Sequence, residues 1–201
     1  MSKVNEIIDA INNLADMQTE KKVAALNCIR AALAAVSPFK AHPIEYVQWV
    51  PAESVEANIY NPNKVAPPEM ELLKTSIQAD GYTQPIVTHV ENDRRETVDG
   101  FHRGLIGKTD PVVRESTLGY LPVVTIRPGQ ISSPNRMAST IRHNRARGTH
   151  SVDLMSSIVA ELSRAGMSDA WIEKHLGMEP DEVLRLKQIT GLAELFADRE
   201  L

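Results

Sequence analysis

Apolar residues change their spacing twice along the chain, and this constrains the fold more than any other feature of the sequence. They recur at helical spacing before residue 40, fall into short strand-like runs between 45 and 128, and return to helical spacing beyond that. Val4, Ile7, Ile8, Ile11 and Leu14 share one face of a first helix, and Val23, Leu26, Ile29, Leu33 and Val36 share a face of a second. Thr19 is the expected N-cap of the second helix, and Pro38 is its stop signal. Residues 1–40 therefore read as a helical hairpin. Its apolar stripe has two outlets, docking on its own domain or pairing with another chain.

The middle segment changes character at Glu45. YVQWV reads as a short strand, and NIYNPNKVAPPE as a loop rich in Pro and Asn. Pro67 and Pro68 suit a helix start, Met70, Leu73 and Ile77 give that helix a buried stripe, and Gly81 closes it near the C′ position. PIVTHV is then a strand, NDRR a turn, ETV a short returning strand, FHRGLIGK a helix onset and LPVVTIRP a further strand. Thr109 to Tyr120 reads as a loop with room for a short helix. Beyond Pro128, PNRMASTIRHNRARG, SVDLMSSIVAELSRAG and MSDAWIEKHLGMEPDEVLRLKQITGLAELF all read as helical, with a domain boundary expected near Gly148. The expected domains are 1–40, 45–148 and 149–201.

Composition narrows the class of protein. With 42% apolar and 24% charged residues in 201, the chain can bury a core without staples. Its single cysteine, Cys28, excludes a disulfide framework, a CxxC pair and a zinc finger, and points to a reducing, intracellular setting. No run of about 18 apolar residues occurs, and early acids and asparagines interrupt MSKVNEIIDAINNL where a signal peptide needs an apolar core. A cytoplasmic protein with no membrane association is expected. The net charge of −4 argues against a nucleic-acid footprint over the whole surface, while leaving room for a local basic patch.

Three motifs carry chemistry. In DGFHR, Asp99 to Arg103, the glycine permits a sharp turn, and the helix starting beyond it points free N–H groups back at that turn, which favours an anion. His102 and Arg103 are then placed for phosphate oxygens, and Asp99 for a metal-bound water or a proton. The plainer alternative is that Asp99 caps a helix whose first turn is solvated. In RHNRARGTH, Arg142 to His150, arginines gather with no acid between Arg136 and His150, and Asn144 suits a metal, a base or a ribose; a solvated basic helix end explains the same residues. The third motif, SDAWIEKHLGMEPDEVLRLKQITGL, sets two helical patterns around Gly177 with Ile172, Leu176, Val183, Leu186 and Ile189 as a core, the pattern of a helix-turn-helix. Its second helix begins with Glu179, Asp181 and Glu182, and from Ser168 to Leu201 acids outnumber Lys and Arg by eight to four. Weak, salt-sensitive DNA binding is expected from such a surface, and a packing module or partner surface is the other reading.

The order of these pieces resembles the ParB/sulfiredoxin superfamily over roughly Val47 to Phe196. LLKTSIQADGYTQPIVTHV is similar to the first ParB box, VDGFHRGLIGK to the second, and ASTIRHNRARGTHSVDL to the third, with the helix-turn-helix following as in ParB. Phe101 and His102 stand where ParB has Glu and the first Arg, and His143 replaces the Glu beside Asn144. Phe101 also occupies the place of the reactive sulfiredoxin cysteine, so sulfiredoxin chemistry is not expected. DGFHR is similar to the Asp-Gly-His-His-Arg turn of free serine kinases, which transfer phosphate from ADP. The whole layout looks most like the IbrB-type co-activators of prophages and genomic islands.

That resemblance implies an α+β fold: a small mixed sheet with helices, an N-terminal helical hairpin and an all-helical C-terminal helix-turn-helix part. It implies a nucleoside di- or triphosphate as cofactor, held by Gly81, Gln84 and Pro85, by Gly100, Phe101, His102 and Arg103, and by Arg142, His143, Asn144, Arg145 and Arg147. Asn144 is the implied Mg²⁺ ligand. Asp99 and His102 are the implied catalytic residues of a rival reading, a phosphotransferase acting on a small molecule. The implied partners are the nucleotide, DNA bound weakly, a PAPS-reductase-like protein of the IbrA type and a second copy of the chain.

Overall fold

A computed structural model of the chain describes residues 2–57, 67–126, 138 and 152–197. Its sheet has five strands in the order β1-β5-β3-β4-β2: β1 (Gln48–Pro51), β2 (Val55–Glu56), β3 (Ile86–Glu91), β4 (Arg94–Asp99) and β5 (Tyr120–Thr125). β3 pairs antiparallel with β4 and parallel with β5, while β1 runs antiparallel to β5 and β2 parallel to β4. The α+β expectation holds, with a mixed sheet.

The β3–β4 hairpin shows the local rules at work. Asn92 and Asp93 both have positive φ, +50° and +61°, which a tight two-residue hairpin turn of the twist-matched kind requires and which these residue types tolerate. β4 is longer than the ETV segment expected, because the turn takes only those two residues and Arg94 and Arg95 join the ladder. β2 was not foreseen. Two residues beside β4 leave no periodicity to detect.

The helices ahead of the sheet are α1 (Lys3–Asn12) and α2 (Thr19–Val36). Thr19 is the first helical residue rather than the cap, and Gln18 takes the cap position without a side-chain hydrogen bond. Of the two outlets foreseen, α2 takes the internal one. The Asn27 amide donates to the Trp49 carbonyl at 2.7 Å and accepts from the Trp49 N–H at 3.1 Å, so α2 lies along the outer edge of β1. Trp49 therefore turns its backbone away from Pro122, its register partner on β5, and a proline without an N–H is tolerated there. On α1, Val4, Ile7 and Ile8 remain exposed.

Three further helices pack near the sheet: α3 (Pro67–Asp80), α4 (Phe101–Thr109) and α5 (Pro111–Ser116). α3 begins at Pro67 and ends against Gly81 at φ +73°, as the sequence indicates. Asp110 caps α5 by accepting from the Val113 N–H at 3.0 Å, and Pro111 fills its first turn. Ile77, Ile106 and Val113 form one buried cluster, and Ala52, Val55, Ile86, Leu121 and Val123 form another. Tyr82 packs against both. Full burial of side chains such as Ile86 and Leu121 contributes about 1.5–3 kcal/mol each.

A separate helical core follows, built from α6 (Val152–Arg164), α7 (Asp169–Leu176) and α8 (Pro180–Ala197). Ser168 caps α7, and Gly177 ends it in the left-handed region at φ +65°. Met155, Val159 and Leu162 of α6 meet Ile172, Leu176, Val183 and Leu186, with Ala138 buried in the same cluster. The five core residues read from the sequence all belong to it, Ile189 at its margin.

Candidate functional site

The DGFHR turn sits where β4 ends and α4 begins. Gly100 is the N-cap of α4 at φ +89°, a conformation that L side chains rarely adopt. A Cβ at Gly100 would lie 2.8 Å from Nη2 of Arg103, whose guanidinium folds back over the turn. The backbone conformation is what calls for glycine, while a Cβ would also push the end of the Arg103 side chain from its place over the turn.

Arg103 joins two of the segments singled out in the sequence. Its Nη2 lies 3.6 Å from Oδ2 of the buried Asp99, Nη1 donates to the Gln84 side-chain carbonyl at 3.4 Å, and Nη2 donates to the Pro85 carbonyl at 3.4 Å. These are long contacts, and their worth is in geometry, since they hold the GYTQP turn against DGFHR. Tyr82 closes the same joint from below, its hydroxyl donating to the Arg103 carbonyl at 2.7 Å. Burial pushes the Tyr82 phenol up to about 12, against the opposing pull of the Arg103 charge.

Gly107 was not among the candidates, yet it lets this joint close. A Cβ there would lie 2.2 Å from the Tyr82 hydroxyl and 2.4 Å from Cδ2 of Leu121. Its sequence signal was a glycine within a helical pattern, which marks close approach as often as a helix end.

His102 is half-buried, and desolvation lowers its imidazole below the ordinary histidine value, which favours the neutral ring. Phe101 meets it edge to face, with ring centroids 5.2 Å apart. The N-cap itself has no side chain with which to satisfy the helix start, and helix geometry points the N–H groups of Phe101 and His102 back at the turn. Of the residues named from the sequence, Gly81, Gln84, Pro85, Asp99, Gly100, Phe101, His102 and Arg103 come from the two adjoining turns. Arg142, His143, Asn144, Arg145 and Arg147 lie outside the described residues. Among the described residues no group of three or more His, Cys, Asp or Glu side chains could hold a metal ion, and no helix is long and apolar enough to cross a membrane.

The molecule is thus an α+β protein ending in a helix-turn-helix, and residues 150–198 match the IbrB-like C-terminal HTH domain family. The chain belongs to the family of the Escherichia coli (strain K12) protein YbdM, with which it is 50% identical over 193 residues, 96% of this chain and 91% of that one. Among solved structures it is similar to the C-terminally truncated chromosome-partitioning protein ParB of Caulobacter crescentus. In its complex with the centromeric parS site the TM-score is 0.46 at 17% identity, over 69% of each chain. In its complex with CTP-gamma-S the TM-score is 0.40 at 17% identity, over 72% of this chain and 78% of that one.

Proposed function

We propose that the chain is a nucleotide-binding regulator of the ParB-like, IbrB type, acting on gene expression in a phage- or mobile-element-related system through DNA or a protein partner. The observation that carries this is the start of α4, where Gly100 caps the helix at φ +89° with no side chain of its own, so that helix geometry directs the N–H groups of Phe101 and His102 back at the turn. A nucleoside di- or triphosphate rests its phosphates there, with His102, Arg103 and Arg147 as further donors and Asn144 on Mg²⁺. The GYTQP turn, tied to the site through Arg103, forms its wall. Binding shifts how the helical parts meet DNA, a PAPS-reductase-like partner or a second copy, with nucleotide hydrolysis as an accompanying activity.

Calorimetric titration with ATP, CTP, GTP and ADP, with and without Mg²⁺, tests the reading. At least one nucleotide binds, and Arg103→Ala weakens it about tenfold or more, the loss of charge-assisted bonds. Absence of binding by all four overturns it.

A second reading is favoured by the half-buried His102 three residues beyond the buried Asp99: phosphate transfer from ADP to a small hydroxylated substrate such as serine, with AMP released and His102 or Asp99 taking the hydroxyl proton. Formation of phosphoserine from ADP and free serine, lost in Asp99→Asn, is the expected result. No product, or an unaffected variant, excludes it.

A further inference from the structure

The other end of the sheet carries a polar strip that the DGFHR turn does not use. Arg95 stands opposite Val90 on β3 and Asp99 opposite Val87, three residues along, so the two ends are about 10 Å apart. The Arg95 guanidinium lies across the sheet. Nη1 donates to the hydroxyls of Thr88 at 3.0 Å and Thr125 at 2.8 Å, and Nη2 donates to the Gln48 side-chain carbonyl at 3.3 Å. Gln48 in turn donates to the Tyr46 hydroxyl, and Thr88 donates to the Val124 carbonyl at 2.9 Å. Side chains of β4, β3, β5 and β1 are thereby strung in one row.

Every side chain that receives an Arg95 proton in this row is neutral. Burial lowers the guanidinium below its ordinary value. Among the described residues no carboxylate pairs with Arg95. A half-buried cation held only by neutral acceptors is costly, and an anion from outside relieves that cost.

A cavity of about 500 Å³ adjoins the strip, between the end of α2, the turn at Pro43–Glu45 and the end of β5. Tyr46 and Thr125 belong to both. Lys40 and His42 line it against the single acid Glu45, and Ala34 and Pro43 give it an apolar side. Its size is that of a small-molecule site.

We propose that this cavity is a second ligand site, independent of the DGFHR turn, for a small organic anion. The acid group, a carboxylate or a phosphate ester, is received by the hydroxyls of Thr125 and Tyr46 on the cavity wall, with the Arg95 guanidinium behind Thr125 as the cation that favours it. Lys40 and His42 add positive charge at the mouth, and the body of the ligand lies against Ala34, Pro43 and the Tyr46 ring.

Titration of the full chain with benzoate and, separately, phenyl phosphate, followed by amide NMR shifts, tests the proposal and distinguishes the two acid groups. One probe binds saturably at a single site, and Arg95→Gln weakens it about tenfold or more. Lys40→Glu, at an exposed position, weakens binding by reversing one charge and decides the matter where Arg95→Gln fails to fold. Arg103→Ala leaves the affinity unchanged. Failure of both probes to saturate at millimolar concentration overturns the proposal, as does binding lost in Arg103→Ala and retained in Arg95→Gln.

Discussion

The Tyr82 hydroxyl donates to the Arg103 main-chain carbonyl at 2.7 Å, so a residue of the GYTQP turn fixes the first turn of α4 from beneath. Tyr82→Phe removes that bond and costs about 1 kcal/mol of stability. The wild-type phenol is pushed up to about 12 by burial, so above the ordinary tyrosine value near 10 the folded state holds a proton that the unfolded chain releases. Stability is full below pH 10 and falls as pH rises through 10 to 12. Chemical denaturation across that window will show a steeper alkaline loss in the wild type than in Tyr82→Phe.

Gly107 is the tightest point of α4 against the sheet, with a Cβ position 2.2 Å from the Tyr82 hydroxyl and 2.4 Å from Leu121. Gly107→Ala overpacks this contact and destabilises by about 1–3 kcal/mol, despite alanine's better helix propensity. Adding Tyr82→Phe recovers part of the loss, because the Leu121 clash remains. Thermal unfolding of the single and double variants measures both effects.

Asn27 completes the outer edge of β1 with one donor and one acceptor for Trp49. Asn27→Ala loses two hydrogen bonds and costs about 1–3 kcal/mol, concentrated on α2 and β1 rather than on the whole fold. Faster hydrogen exchange at the Trp49 amide, with exchange at Val123 little changed, is the expected signature.

The second helix of the helix-turn-helix, α8, starts with exposed acids, Glu179 just before it and Asp181 within its first turn. These repel phosphates, so the expected outcome for the wild-type chain is weak DNA binding that is lost as salt rises. Glu179→Gln with Asp181→Asn raises non-specific affinity at low salt by about three- to tenfold, from roughly 1 kcal/mol of relieved repulsion. A mobility-shift series in rising salt checks both statements. Tight wild-type binding at physiological salt contradicts them.

Features fixed by neighbours in sequence were legible in advance. The end of α3 at Gly81, a turn at Asn92 and Asp93 and the helix-turn-helix core around Gly177 each follow from residues within a few positions of one another, although the turn is two residues shorter than NDRR suggests. Features fixed across the fold were not. Thr19 looks like a cap from its side chain, yet the helix begins one residue earlier than a Thr19 cap requires. The partners of Arg103 come from the GYTQP turn, and those of Arg95 from three other strands, so neither set has a spacing that a reader of the sequence can count. The candidate site was therefore recognisable as a list of residues, while the joint that holds DGFHR to GYTQP was not.

The sheet edges also bear on assembly. One border strand, β1, already has a partner for its outward backbone in Asn27, and the other, β2, spans only Val55 and Glu56. Among the described residues, neither border strand is itself a long ladder of open groups on which a second molecule's strand could grow. Contacts between copies made by side chains are favoured over extension of the sheet from these two strands.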